Sequence, residues 1–203
     1  MSKNDREFRS MELRIAPPQE GEERSYKVEG YASTFDPYTL MTFEGIDYKE
    51  QIDPHAFDEA DLNDVVFRID HEGRVYARTS AETLWLWSDD HGLGTRADLS
   101  KTASAREVFA EIEAGNYPKM SFAFVVDEDG DEYDKKTHTR TIHRIAKVFD
   151  VSPVSFPANP GTELSVSTRD YFNGVIEAER AERLEAEKRA AQIQRIIKLT
   201  EVM

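Results

Sequence analysis

The chain of 203 residues carries 33% charged and 39% hydrophobic residues and a formal net charge of -14, a balance that suits one ordinary globular domain with an appendage. It has no cysteine, which excludes disulfides, thiolate-held zinc and a thiol nucleophile, while the acidic excess opposes nucleic acid and anionic lipid, whose binding needs clustered Lys and Arg. No apolar run approaches membrane-spanning length and residues 1–9 lack the apolar core of a signal peptide, so neither a membrane protein nor a secretory precursor is expected, and an intracellular site is.

Met11 to Ile15 and Tyr26 to Ala32 read as short strands joined by a loop that Pro17, Pro18 and Gly21 keep irregular. Residues 36–45 form a mixed loop, Tyr48 to Ile52 is extended, and Asp53-Pro54 looks like an N-cap with proline at the first position of a short helix reaching about Asp61. The β-branched run Asp64 to Ile69 delivers Asp70-His71-Glu72-Gly73 at its end, where Gly73 marks a turn and His71 sits on a strand rim. Thr83 to Trp87 and Leu93 to Leu99 form a hairpin with His91 in its turn. Thr102 to Ala114 is a helix with Ala105, Val108, Phe109 and Ile112 on one face and Gly115 as its stop.

The next stretch, Lys119 to Val126, alternates strictly, so Met120, Phe122 and Phe124 take one face and Ser121 and Ala123 the other. A strand that buries bulky groups on one side and shows a small hydroxyl on the other suits a rigidly held nucleophile. Taken alone, a strand serine is more often one that merely lets a neighbouring strand or loop approach. The acidic run Asp127 to Glu132 lacks the glycine and glutamate spacing of a calcium loop and reads as a solvated hairpin tip. A return strand from Thr139 to Asp150 then places Asp150 on the side of Ala146 and Val148, opposite His143. The prolines of Val151 to Pro160 suit an edge or a bend rather than a central strand.

From Ser167 the composition turns to Glu, Arg, Ala and Lys with pairs such as Glu179 and Arg183, which makes a long helix. Its apolar patches, Phe172, Val175 and Ile176 at one end and Ile193, Ile196, Ile197 and Leu199 at the other, suit packing on its own domain or an oligomerisation arm. Residues 1–166 are therefore read as one domain and 167–203 as a charged helical extension, with a homo-oligomer expected.

Three separated stretches carry a resemblance: Glu50 to Phe57 followed by Asp70-His71-Glu72, then Lys119 to Phe124, then Asp150 to Pro160. Together they resemble the HK97-type prohead serine proteases of tailed bacteriophages, over about residues 10–166, a family related to herpesvirus assemblin. The resemblance implies an α+β fold, mainly β, whose strands form a closed, mostly antiparallel barrel with flanking helices. It also implies a maturation protease that cleaves capsid or scaffold precursors inside the immature head, with His71 at the position of the catalytic histidine, Ser121 at that of the nucleophile, and Asp150 where the family usually has glutamate. His71 would take the Ser121 proton and Asp150 would orient the ring, a chemistry that requires no metal or other cofactor. Phe156 to Asn159 is the candidate source of oxyanion donors. A non-enzymatic capsid scaffold or assembly chaperone is the alternative, and a metal hydrolase built on Asp70, His71 and Glu72 is disfavoured because adjacent strand residues face opposite ways.

Overall fold

The molecule is described from a computed structural model, over residues 7–18, 24–155 and 166–200. The chain divides into two compact units, residues 1–165 and 166–203.

The first unit is built around two sheets. In chain order the strands are β1 (Glu7–Ile15), β2 (Lys27–Thr34), β3 (Tyr38–Phe43), β4 (Ile46–Ile52), β5 (Val66–Ile69), β6 (Glu72–Arg78), β7 (Leu84–Ser88), β8 (Gly92–Asp98), β9 (Lys119–Val126), β10 (Asp131–Asp134), β11 (Thr139–Ile142) and β12 (Ile145–Val154). The helix α1 (Ala103–Glu113) lies between β8 and β9. The larger sheet runs β6-β5-β12-β9-β1-β2-β8-β7 and the smaller β10-β11-β4-β3. Their ladders are antiparallel except β12–β5 and β11–β4. The fold is thus mainly β with helices.

The two ends of the large sheet meet at one corner, where a single 3-10 turn, Thr79–Ala81, links β6 to β7. There the Thr83 amide donates to the Arg78 carbonyl at 3.2 Å. Among the described residues no ladder joins β6 to β7, so the closed barrel expected from the resemblance is not found.

The core follows the alternation of the strands. Met120, Phe122 and Phe124 are buried with Val28, Phe67, Leu93, Phe109 and Val148, and the Phe122 and Phe124 rings stack at 4.5 Å. The α1 face is the one its spacing predicted: Ala105, Val108, Phe109 and Ile112 are buried, and Thr102 caps the helix by accepting from the Ala105 amide. Gly115 then takes φ +84°, the left-handed stop that glycine adopts without penalty.

Other expectations are corrected. Residues 36–45 are no loop, since β3 pairs with β4 there. Asp53 to Asp61 is a chain of tight turns, not a helix: the amides of Ala56, Asp58 and Ala60 bond to carbonyls three residues back, and buried Ala56 and Phe57 pull the segment onto the core. The return strand from Thr139 to Asp150 is broken at residues 143 and 144 into β11 and β12, which belong to different sheets. Pro153 does not end β12, which continues along β9 to Val154, while Pro157 and Pro160 lie outside the described residues. The Pro153 carbonyl accepts from Asp70 on the β5 side, so its missing N–H faces that side too, beyond the last β5 pair at Val151 and Phe67.

In the small sheet Glu50 is fully buried, a placement a carboxylate tolerates only with partners. Arg140, its register neighbour on β11, supplies an ion pair at 3.2 Å, and Tyr38 donates to it. The first stretch of the resemblance thus begins on a structural charge network. The second unit is one helix, α2 (Val166–Thr200), with Leu184, Ile193, Ile196 and Ile197 exposed.

Candidate active site

Ser121 lies in the middle of β9, with Ser10 of β1 and Ser152 of β12 opposite it. It is only 2% exposed, and its strand neighbours Met120 and Phe122 point into the core. The hydroxyl is therefore held by a central strand whose other face is anchored by aromatic packing.

His71 is placed by the β5–β6 hairpin, whose two-residue turn is Asp70-His71. Both residues take left-handed backbone angles, φ +48° and +58°, as the mirror-image turn of a short hairpin demands. Asparagine and glycine accept that conformation readily, whereas histidine adopts it at a cost of about 1 kcal/mol or more. The turn is tied down from the side. The Asp70 amide donates to the Pro153 carbonyl at 3.0 Å, and its carboxylate accepts from the Ser155 amide at 2.9 Å and the Ser155 hydroxyl at 2.7 Å. Asp70→Ala should destabilise the protein by about 1–2 kcal/mol, one exposed hydrogen-bond pair plus the left-handed penalty, whereas Asp70→Asn, which tolerates the turn, should lose less. Urea unfolding of the two variants checks the order.

Asp150 reaches the site through a bulge. Val148 pairs with Phe124 and Asp150 with Ala123, so Phe149 is an extra residue on β12. Directly opposed residues point the same way. Val148 therefore joins the Phe124 core face, and Asp150 joins Ala123 and Ser121. This corrects the expectation that Asp150 shares a side with Val148, since the bulge inverts the alternation between them. A second irregularity, at Ala146, is fixed by the Asp61 amide bonding to its carbonyl. Hydrogen bonding from Lys147 holds the Asp61 carboxyl below its ordinary range.

The three side chains converge. His71 Nδ1 lies 2.6 Å from Asp150 Oδ1 and His71 Nε2 2.8 Å from Ser121 Oγ. An ionised carboxylate only accepts, so Nδ1 carries the proton and Nε2 of the neutral ring is left to accept from the serine hydroxyl. Asp150 is 1% exposed, a burial that requires compensation. Besides His71, Ser152 Oγ donates to Oδ1 at 2.7 Å, and Arg68 Nε stands 3.9 Å from Oδ2. The Arg68 Nη1 also donates to the His71 carbonyl at 3.3 Å. Close by, burial and then the Asp70 carboxylate push the Tyr117 phenol above its ordinary value.

Ser152, Arg68 and the Asp70–Ser155 clamp were not singled out from the sequence. Ser152 had a usable mark, since it stands two residues after Asp150 and so shares its face. The other histidines are elsewhere. His55 is exposed and pairs with Asp58 at 3.0 Å, His91 stacks edge-on against Tyr31 in its turn, and His143 lies between Asp53 at 3.4 Å and Glu132 at 3.9 Å. Among the described residues no cluster of three His, Asp or Glu side chains could hold a metal ion, and Asp70 and His71 turn their side chains to different partners. The oxyanion candidates Phe156 to Asn159 lie outside the described residues.

A family model described as caudovirus prohead serine protease matches residues 11–174. That span holds all three converging side chains. No curated protein and no solved structure matches the chain.

Proposed function

The chain belongs to the caudovirus prohead serine proteases, a serine protease family with a role in phage head maturation, and from that premise we propose that Ser121 is its nucleophile, His71 its general base and Asp150 the acid that orients the base. The observation that carries this reading is the unbroken chain from Ser121 Oγ through both nitrogens of His71 to buried Asp150. Ser121 Oγ attacks a peptide carbonyl while its proton passes to Nε2. The C–N bond then breaks, the proton goes on to the leaving amine, and water releases the acyl group by the same route in reverse. Asp150 keeps Nδ1 protonated throughout and stabilises the ring when it becomes positive.

The substrates are capsid or scaffold precursors, met inside the immature head in the host cell. A serine-directed phosphonate should label Ser121 alone, and co-expression with a capsid precursor should release fragments that mass spectrometry assigns to discrete cuts. Labelling elsewhere, or intact precursor beside folded protein, would sink the proposal.

The family likeness also supports an assemblin-like barrel, in which the sheet curls until β6 and β7 adjoin at the Thr79–Ala81 corner. A crystal structure in which β6 and β7 diverge with solvent between them along their whole length would refute it. The apolar side chains exposed on α2 support self-association, so sedimentation should give a species heavier than the 23.3 kDa chain, and a monomer at all concentrations would remove that expectation.

A further inference from the structure

We propose that Ser152 is a positioning residue of this site, one that fixes the carboxylate of Asp150 and tempers its charge; the proposal rests on the reading of Asp150 as the orienting acid. Ser152 is fully buried, stands directly opposite Ser121 in the β12–β9 ladder, and donates to Asp150 Oδ1 at 2.7 Å. That oxygen is also the partner of His71 Nδ1. Its two lone pairs are thus both engaged, while Oδ2 faces the guanidinium of Arg68, so the plane of the carboxylate is set from three directions.

A packing role alone does not account for the hydroxyl. An alanine would fill the same place without a polar group to satisfy, and residues two apart on a strand stand about 7 Å apart. The 2.7 Å contact means that the two side chains lean toward each other along the strand. The donor also acts on the chemistry. A hydrogen bond to a carboxylate disperses its charge. Without it Oδ1 is more basic, the ring is held protonated to higher pH, and the carboxylate is free to turn. Hydrogen bonds to charged groups of this kind are worth about a tenfold change in rate or more.

The test compares Ser152→Ala and Ser152→Thr with the full wild-type chain by turnover of a precursor peptide across pH and by proton NMR of the His71–Asp150 hydrogen bond. Ser152→Ala should lower kcat about tenfold at unchanged KM, move the acid limb of the pH–rate profile upward and shift the deshielded proton resonance further downfield. Ser152→Thr, which keeps the donor, should restore the acid limb and the resonance, with kcat recovered in part because the added methyl must fit a fully buried position. Wild-type values of kcat, acid limb and resonance in Ser152→Ala would overturn the proposal. So would a fall in kcat with neither the acid limb nor the resonance displaced, because that is what a packing defect gives. Should the wild-type chain cleave nothing while Ser152→Ala still displaces the resonance, the positioning role stands and the protease reading falls.

Discussion

Ser121→Ala is expected to abolish precursor cleavage, with a loss of at least about a thousandfold, while the protein keeps its fold and melting temperature. Ser121 Oγ is the hydroxyl that hydrogen-bonds to His71 Nε2, and nucleophile knockouts in serine proteases leave only what binding and oxyanion stabilisation supply. The strand explains why stability is kept. Ser121 faces away from Met120, Phe122 and Phe124, so removing one oxygen opens almost no cavity in the aromatic core. His71→Ala should be similarly inactive, since a serine hydroxyl without its base is a poor nucleophile at neutral pH. Cleavage at discrete sites that survives in folded, purified Ser121→Ala would show that the nucleophile lies elsewhere.

The positions of Ser121 and His71 were legible for different reasons. Lys119 to Val126 carries both a period of two and a contrast of side-chain size, and β9 realises both. His71 was placed at a strand end by the β-branched run before it. Its exact setting was not visible, because Gly73 drew attention as the turn former while the two-residue turn falls on Asp70 and His71. Asp-His has none of the glycine that a mirror-image turn favours; the bonds that offset this come from Pro153 at the end of β12 and from Ser155 just past it, 85 residues from Asp70 in the chain. Asp150 is the instructive case. Parity over an unbroken strand let only one of Asp150 and His143 face the cleft, and small neighbours with the family resemblance pointed to Asp150; yet His143 lies in the break between β11 and β12, and Phe149 bulges out of the ladder. A bulge of this kind has no side-chain signature, since its cause is the register demanded by both neighbouring strands. β3 and β10 escaped notice for a different reason: they are the edge strands of the small sheet, pair with the adjacent β4 and β11, and are mostly half-buried or exposed, so they carry no strong apolar alternation.

Asp150→Asn should lower kcat by about ten-thousandfold, the scale seen when the acid of such a triad is lost. The surroundings say why the amide fails. Arg68 faces the Oδ2 position at 3.9 Å, and a cation there draws the amide oxygen toward itself, which turns the NH2 toward His71. An NH2 can only donate. Nδ1 must then accept, the ring proton moves to Nε2, and Nε2 can no longer take the proton of Ser121. Ser152 offers no resistance, because its hydroxyl can rotate to accept. Asp150→Glu restores an acceptor, but it adds a methylene to a side chain that is 1% exposed, so it should recover activity only in part. His143→Ala is the control: the ring is 41% exposed and pairs with Asp53 and Glu132 rather than with His71, so turnover should stay within about twofold of wild type, as surface ion pairs contribute little. Steady-state kinetics on one precursor peptide measures all three variants. Full activity in Asp150→Asn together with inactivity in folded His143→Ala would transfer the orienting role to the second histidine and overturn the assignment.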